Sequence, residues 1–589
     1  MTVGGIAKET FHLFLIKPSH YDDDGYVIQW ARSSIPSNTL ATLYGLALDC
    51  AERRVLGEHV EIRVVAADET NTRIKPARIV QQLRKGGGRG LVALVGVQTN
   101  QFPRAMDIAR RLRAAGIAVC IGGFHVSGCI AMLPEVPQEL REAMDLGVTL
   151  FAGEAEGRFD ELLRAAYRDE LQSLYNFMNA LPELAGAPVP YLPHEIVRRT
   201  SGMRTSFDAG RGCPFLCSFC TIINVQGRKS RSRTADDVER LVRANLAQGV
   251  HNFFITDDNL ARNRNWEAIF DRLIRMREEE KLRIHIVAQV DTMSHKIAGF
   301  IAKASRAGVN RVFIGLESIN PDALKEARKG QNQITEYRAM LQAWHRTGTL
   351  TYAGYILGFP GDTAASIERD IRIIQHELPI DLLEFFILTP LPGSADHKKL
   401  HLAGVGMARD LNDYDLVHVT TRHPVMSDDE LRAVYRKAWD IYYSPEHVER
   451  VLRRSKAWSY DPRNMMMKLL TFHAVPRIEK VHPLEGGVFR RKYRRERRPG
   501  MQRESPFVFY PRYAAEIVSK HWRFARMAWE HWRIVRRIER DSSAYIDVAM
   551  TPVRDNEFEQ MQMYTTTPAA RTAVEKLRRR QHARVVRES

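Results

Sequence analysis

Twice along this chain, short apolar runs alternate with helical stretches, and that rhythm leaves few folds open to it. The first series has strand candidates at His12–Ile16, Glu61–Val65, Leu91–Val97, Ile117–Ile121 and Val148–Ala152, each rich in Val, Ile, Leu or Phe and bounded by Gly, Pro or charge. Helical stretches such as Asn38–Arg53 and Arg104–Ala115 lie between them. Strands alternating with helices form a parallel sheet covered on both faces, and ligands of such sheets bind at the carboxyl ends of the strands. The loops there are Gln98-Thr99-Asn100, Gly122-Gly123-Phe124-His125 and Gly153-Glu154-Ala155-Glu156-Gly157. A second series runs from Arg204 to about Pro392, with strands expected at Thr205–Ala209, Asn252–Thr256, Ile284–Val290, Arg311–Leu316, Tyr352–Leu357 and Leu382–Leu388. Strand–helix units in such succession predict a parallel barrel or an open part of one.

The expected organisation is α/β. Residues 1–165 form a Rossmann-like doubly wound domain, 166–203 a proline-rich linker, 204–400 a (β/α)6 partial TIM-type barrel, 401–489 a helical extension and 490–589 a basic tail. At 589 residues, with 44% hydrophobic and 27% charged, the chain can bury several cores. No uncharged apolar run approaches the ~18 residues of a spanning helix. Lys8 and Glu9 precede a short apolar run with no cleavage pattern behind it, so a cytoplasmic location is expected. Six cysteines are too sparse for a disulfide framework. Of the net charge of +17, residues 490–589 hold +12, from 24 Lys/Arg against 12 Asp/Glu, and the first 489 residues hold +5. Basicity therefore belongs to the tail and says little about the chemistry upstream.

Cys213, Cys217 and Cys220 form C-x3-C-x2-C directly after the first strand of the second series. Three thiolates on one tight loop can hold three irons of a cubane 4Fe–4S cluster and leave the fourth iron open. A structural zinc calls for four closed ligands, and the loop offers neither a fourth Cys nor a His. Cys50, Cys120 and Cys129 are scattered upstream.

This loop, with Phe219 before its last Cys, resembles the signature of the radical S-adenosylmethionine (radical SAM) enzymes. Phe254-Ile255-Thr256-Asp257-Asp258-Asn259 resembles the family segment that meets the methionine amino group, whose positive charge suits Asp257 and Asp258. An ordinary helix cap before Trp266 competes for those two carboxylates. Glu317 and Ser318 follow the fourth strand, where the family often places a polar contact to the methionine or ribose. Gly354-Tyr355-Ile356-Leu357-Gly358-Phe359-Pro360-Gly361 resembles the fifth-strand segment whose backbone meets the adenine. The resemblance thus implies SAM contacts from Phe219, Thr256, Asp257, Asp258, Gln289, Glu317, Ser318 and Gly358.

The first series looks like the cobalamin-binding domain found in one large subfamily, and the order of the two domains is the subfamily's. The likeness covers about residues 10–400. The D-x-H-x-x-G motif of many cobalamin proteins is missing, since Asp22-Asp23-Asp24-Gly25 lacks a His at that spacing. A cobalt without a strong lower ligand reaches its reduced state more easily. The resemblance implies cobalamin contacts from Ser37, Thr39, Gln98, Thr99, Asn100, Gly122, Gly123, Phe124, His125, Gly153, Glu154 and Glu156, with Asn38 and Gly128 close by. Nucleotide binding is the rival reading, and no G-x-G-x-x-G follows the first strand to support it.

The implied reaction is methylation of an unactivated carbon. One SAM would methylate cobalt(I). A second would be cleaved at the cluster to a 5′-deoxyadenosyl radical that removes a substrate hydrogen. A cyclase or rearrangement enzyme without methyl transfer is the first alternative, and a non-catalytic cobalamin or redox sensor is the second. Expected partners are a small-molecule or lipid substrate and a low-potential electron donor of flavodoxin or ferredoxin type. In the tail, Val518, Trp522, Ala525, Trp529 and Trp532 recur at three- and four-residue steps among arginines, within a helix expected over Ala514–Arg540. That face could lie on an anionic membrane, which would place the protein at the inner membrane surface. It could equally pack on the barrel. The run Arg490–Arg498 raises nucleic acid as a third option, but no RNA-binding module accompanies it.

Overall fold

The computed structural model describes residues 9–554 and 557–588. Strands β1 (Glu9–Lys17), β2 (Val60–Asp68), β3 (Gly90–Leu94), β4 (Ala118–Gly122), β5 (Thr149–Ala152) and β6 (Leu174–Asn176) form one sheet. Its order is β2-β1-β3-β4-β5-β6, with every pair parallel. β1 is buried along six consecutive residues, Phe11–Ile16, as a strand covered on both faces must be. The winding direction reverses at β1, so the loops after β1 and β3 open the crevice where doubly wound sheets take ligands. β6 falls inside the stretch expected to be a linker. With three residues and a polar flank it gives too little period-2 pattern to read.

β7 (Arg204–Phe207), β8 (Asn252–Ile255), β9 (His285–Val290), β10 (Val309–Glu317), β11 (Leu350–Leu357) and β12 (Leu382–Ile387) form the second sheet in simple succession, all parallel. β7 and β12 are its edges, so the barrel is open. Phe207, Phe253, Ile286, Val312, Ala353 and Phe385 are buried in one core with the surrounding helices. The carboxyl ends of the two sheets face a common space, described below.

The last third closes this frame. Gly487–Arg491 pairs antiparallel with Gln29–Ser33, so the expected boundary at 489/490 falls inside a strand. The run Arg490–Arg498 is engaged by upstream acids: Arg490 with Asp22, Lys492 with Asp22 and Asp24, and Arg498 with Asp410. A single helix spans Pro506–Arg540. It begins before the expected Ala514 because Pro506 opens its first turn and Pro511 is carried within it. Ile534, Val535 and Ile538 are buried in the barrel's core. The opposite stripe is uncovered: Phe507 is 90% exposed, Val518 70%, Trp522 69%, Trp529 56% and Trp532 46%. Packing on the barrel thus describes the other face of the helix. No helix among the described residues is long and apolar enough to cross a membrane.

Candidate functional site

The cysteine loop leaves β7 and is pinned by β8. Asp257 Oδ1 accepts Ala209 N at 2.6 Å and Gly210 N at 2.8 Å, and its Oδ2 accepts Asn263 Nδ2 at 2.8 Å. Asp258 Oδ2 accepts Gly212 N at 3.1 Å. Burial holds both carboxyls up at about 7, against the pull of these donors. Burial also raises the thiols, Cys213 to about 11 and Cys220 to about 12, so a cation must displace their protons to bind. Gln331 Nε2 donates to Cys217 Sγ at 3.4 Å, and Lys329 lies close enough for its charge to act on Cys217 and Cys220.

Several residues expected to touch SAM have protein partners in the structure. Asp257, 2% exposed, is spent on the loop backbone, and only Asp258 is part-open beside it. Glu317 ends β10 in the left-handed region (φ +63°) and is tied to Lys329. Ser318 Oγ accepts Asn320 N at 3.0 Å. Thr256 Oγ1 donates to Phe207 O at 3.2 Å, and Gln289 Nε2 donates to Asp257 O at 3.4 Å. Gly358 (φ +92°) donates its N–H to Asp362 Oδ2 at 3.0 Å, which shapes the turn after β11. Phe219 packs against Ala323, Ala327, Ile356 and Phe359, with Lys329 Nζ 5.6 Å from its ring centre.

Across from the loop, the first sheet's ends line two joined spaces. A slot of about 140 Å³ runs between the strands and their covering helices, walled by Gly122, Gly123, Phe124, Phe151 and Glu154. A wider cavity of about 520 Å³ lies between the two sheets, lined by Ser37, Gln98, Thr99 and Asn100 on one side and Thr221, Ile222 and Phe386 on the other. Asn38, Thr39, Gly96 and Phe124 border both. A narrow, mostly apolar slot opening on a wider chamber fits a macrocycle with a flat side-arm. Five of the residues expected near the corrin have protein partners or close protein neighbours here, and three of them, Gly123, Glu154 and Glu156, also line the slot. His125 faces away from both spaces, its Nδ1 bonded to Thr99 Oγ1 at 3.3 Å. Glu154 and Glu156 are consumed by Arg211, at 2.7 and 2.6 Å, and Glu154 also by Arg231. Gly123 is small because a Cβ would meet Val97 N at 2.2 Å, and Gly128 because one would meet Pro392 O at 2.4 Å. Chain packing alone therefore already requires glycine at both positions.

Residues 208–374 match the family model of the Radical SAM superfamily. The match spans the cysteine loop and strands β8 to β11. It is 28% identical over 317 residues to the bacteriochlorophyllide d C-12(1)-methyltransferase of Chlorobaculum tepidum, a match over 52% of this chain and 65% of that protein. It is 24% identical over 351 residues to the hopanoid C-2 methylase of Rhodopseudomonas palustris, over 58% of this chain and 62% of that one. Its fold is that of the radical SAM methyltransferase TsrM from Kitasatospora setae, solved with cobalamin and a [4Fe-4S] cluster (TM-score 0.51, 15% identity, 68% of this chain and 79% of that one). It also matches the cobalamin-dependent radical enzyme OxsB (TM-score 0.51, 12% identity, 96% and 84%).

The chamber also draws groups from the extension and from β12. His482, Leu484 and Glu485, from the extension, close the wide cavity, and Glu485 Oε1 accepts Asn100 Nδ2 at 3.3 Å. Glu384 on β12 is 0% exposed with no hydrogen-bond partner for either oxygen among the described residues, and burial holds it up at about 8. His482 Nε2 lies 3.9 Å from Glu384 Oε2 and is likewise unpartnered. A lone Glu inside the strand Leu382–Ile387 was the available signal.

Proposed function

We propose that this protein is a cobalamin-dependent radical SAM methyltransferase acting on an unactivated carbon of a small molecule or lipid. One observation carries the reading. Thr221 and Ile222, immediately after Cys220, line the same cavity as Gln98, Thr99 and Asn100 at the end of β3 and Ser37 after β1. The cysteine loop and the crevice of the doubly wound sheet therefore serve one chamber, as a reaction that joins two cofactors on one substrate requires. Bound there, a cluster with SAM would supply the hydrogen-abstracting radical, and cobalamin would supply the methyl group.

The chain's own residues do the positioning. Cys213, Cys217 and Cys220 would hold the cluster, with Asp257 and Asp258 fixing their loop through the backbone. Arg211, from that loop, bonds Glu154 and Glu156 after β5 and so sets the distance between the halves. The polar rim Ser37, Thr39, Gln98, Thr99 and Asn100 would meet the corrin. His482 and Glu485 cover the chamber and restrict water, which protects a radical from quenching. The reducing electron would come from a flavodoxin- or ferredoxin-type donor.

The lipid arm of the reading comes from the Pro506–Arg540 helix. Its exposed Phe507, Val518, Trp522, Trp529 and Trp532 lie along one stripe, and Arg533 and Arg536 stand over Trp529 and Trp532 at 4.8 and 5.2 Å. Aromatic rings backed by arginines fit the headgroup level of an anionic bilayer.

Anaerobically reconstituted protein, given SAM, a reductant and cobalamin, should form 5′-deoxyadenosine even without substrate. With substrate, S-adenosylhomocysteine should appear in step with it. Deoxyadenosine without S-adenosylhomocysteine would turn the reading toward cyclisation. In flotation, the full chain should rise with phosphatidylglycerol vesicles at low salt, and Trp522→Ser with Trp529→Ser should stay behind. A wild-type chain that never floats removes the membrane arm alone.

A further inference from the structure

A second convergence of donors lies outside this chamber. His125 and Cys129 stand one turn apart on the helix Phe124–Met132, and Glu139 lies in the first turn of the helix Gln138–Asp145. Among the described residues, these three form the one group of such side chains whose ligand atoms all lie within 4.8 Å of one another. His125 is 0% exposed. Its Nδ1 is bonded to Thr99 Oγ1, while its Nε2 has no hydrogen-bond partner and faces Glu139 Oε1 at 3.8 Å. With the proton on Nδ1, Thr99 fixes the tautomer whose free lone pair points at Glu139, the outer-shell arrangement by which metal-binding imidazoles are oriented. His397 on Ala395–Leu402 is also buried, with Nδ1 unpartnered, and its charge acts on His125. Its helix is held close because the chain at Pro392 runs against Gly128.

An orphaned nitrogen in a dry interior costs ~1–3 kcal/mol. Here the donors already converge, so one cation would satisfy all of them. Imidazole nitrogen, thiolate sulfur and carboxylate oxygen together suit zinc, whereas magnesium and calcium prefer oxygen alone. We propose that His125, Cys129 and Glu139 bind one zinc-class divalent cation, with His397 or a water in the fourth position. The cation would tie the helices Phe124–Met132 and Gln138–Asp145 together behind the loop Gly122-Gly123-Phe124. It would thereby stiffen the wall of the narrow slot without taking part in the chemistry there.

Full-length protein from zinc-supplemented cells should carry one zinc per chain by elemental analysis, in addition to its iron. Cobalt(II) titrated into the zinc-free full chain, with no cobalamin added, should produce a thiolate-to-metal charge-transfer band. Cys129→Ser should abolish that band. Glu139→Gln should keep the band and weaken zinc retention by roughly tenfold or more, which decides the matter even where Cys129→Ser fails to fold. Zinc-free protein that gives no cobalt band overturns the proposal. So does a band that survives Cys129→Ser, since it would then arise from Cys213, Cys217 and Cys220.

Discussion

The two sides of the chamber treat buried charge in opposite ways. On the cysteine side Asp257, Glu154, Glu156 and Asp208 each have a cation or an N–H donor beside them, although Asp208 Oδ2, Arg231 Nε and Arg233 Nη2 make no hydrogen bond among the described residues. Asp257 takes three N–H donors, and Glu154, Glu156 and Asp208 share Arg211, Arg231 and Arg233. On the far side, Glu384 lies two residues before the cavity-lining Phe386 with both oxygens unpartnered, and His482 Nε2 and Trp439 Nε1 are unpartnered as well. A loop that must hold three sulfurs in register has to be fixed from several directions. A wall that receives a ligand must keep some polar capacity unspent, at a cost in stability. Under the proposed function, the first wall would hold a cofactor and the second would meet the substrate.

The largest effect is expected at Arg211, because three buried acids depend on it. Arg211→Met should destabilise the protein by about 3–5 kcal/mol, the range for removing one partner of a buried ion cluster. Denaturant midpoints would measure it, and iron uptake should fall in parallel. A loss below ~1 kcal/mol would mean the engaged wall is not held by charge, and the contrast would fail. Asp257→Ala should come next. It strips the acceptor from Ala209 N and Gly210 N, at about 2–3 kcal/mol for two orphaned buried donors. Reconstitution should yield less than the wild-type iron, with the secondary structure seen by circular dichroism unchanged. Full iron loading in that variant would show the cysteine loop to be self-sufficient.

The engaged wall was the more legible of the two in the sequence, though for partly wrong reasons. Cys213, Cys217 and Cys220 could be read because cluster chemistry fixes residue type and spacing together. The strands of both sheets could be read because burial on both faces writes continuous apolar runs. Asp257 and Asp258 were placed at the right strand end, but a sequence does not say whether a carboxylate there turns to a ligand or to its own backbone. His125 follows the glycine loop directly, yet one step into the helix rotates its ring away from the chamber. The far wall was hidden. His482 and Glu485 arrive from the extension, where no period or motif ties them to the barrel. The ribbon of Gln29–Ser33 with Gly487–Arg491 joins opposite ends of the chain, and β6 is too short to show alternation. Glu384 sat in plain view within Leu-Leu-Glu-Phe-Phe-Ile, read as one more apolar strand.

The smallest effect near pH 5, and the sharpest test of the unspent wall, is Glu384→Gln. Burial lifts this carboxyl from 4.5 to about 8, so the folded state binds its proton more tightly than the unfolded chain does. Stability from this group is therefore fully present below about pH 4.5 and is lost as pH rises toward about 8, by at most ~1.4 kcal/mol per pH unit. Glutamine keeps the shape and cannot ionise. The variant and the wild type should unfold at the same denaturant concentration near pH 5. Near pH 8 the variant should be the more stable by a few kcal/mol, with most of the gap opening above pH 6 if His482, itself held down at about 3 by burial, stays neutral. Parallel stability curves across that range would show Glu384 to be ionised and paired in the folded protein, and the two walls would then handle charge alike.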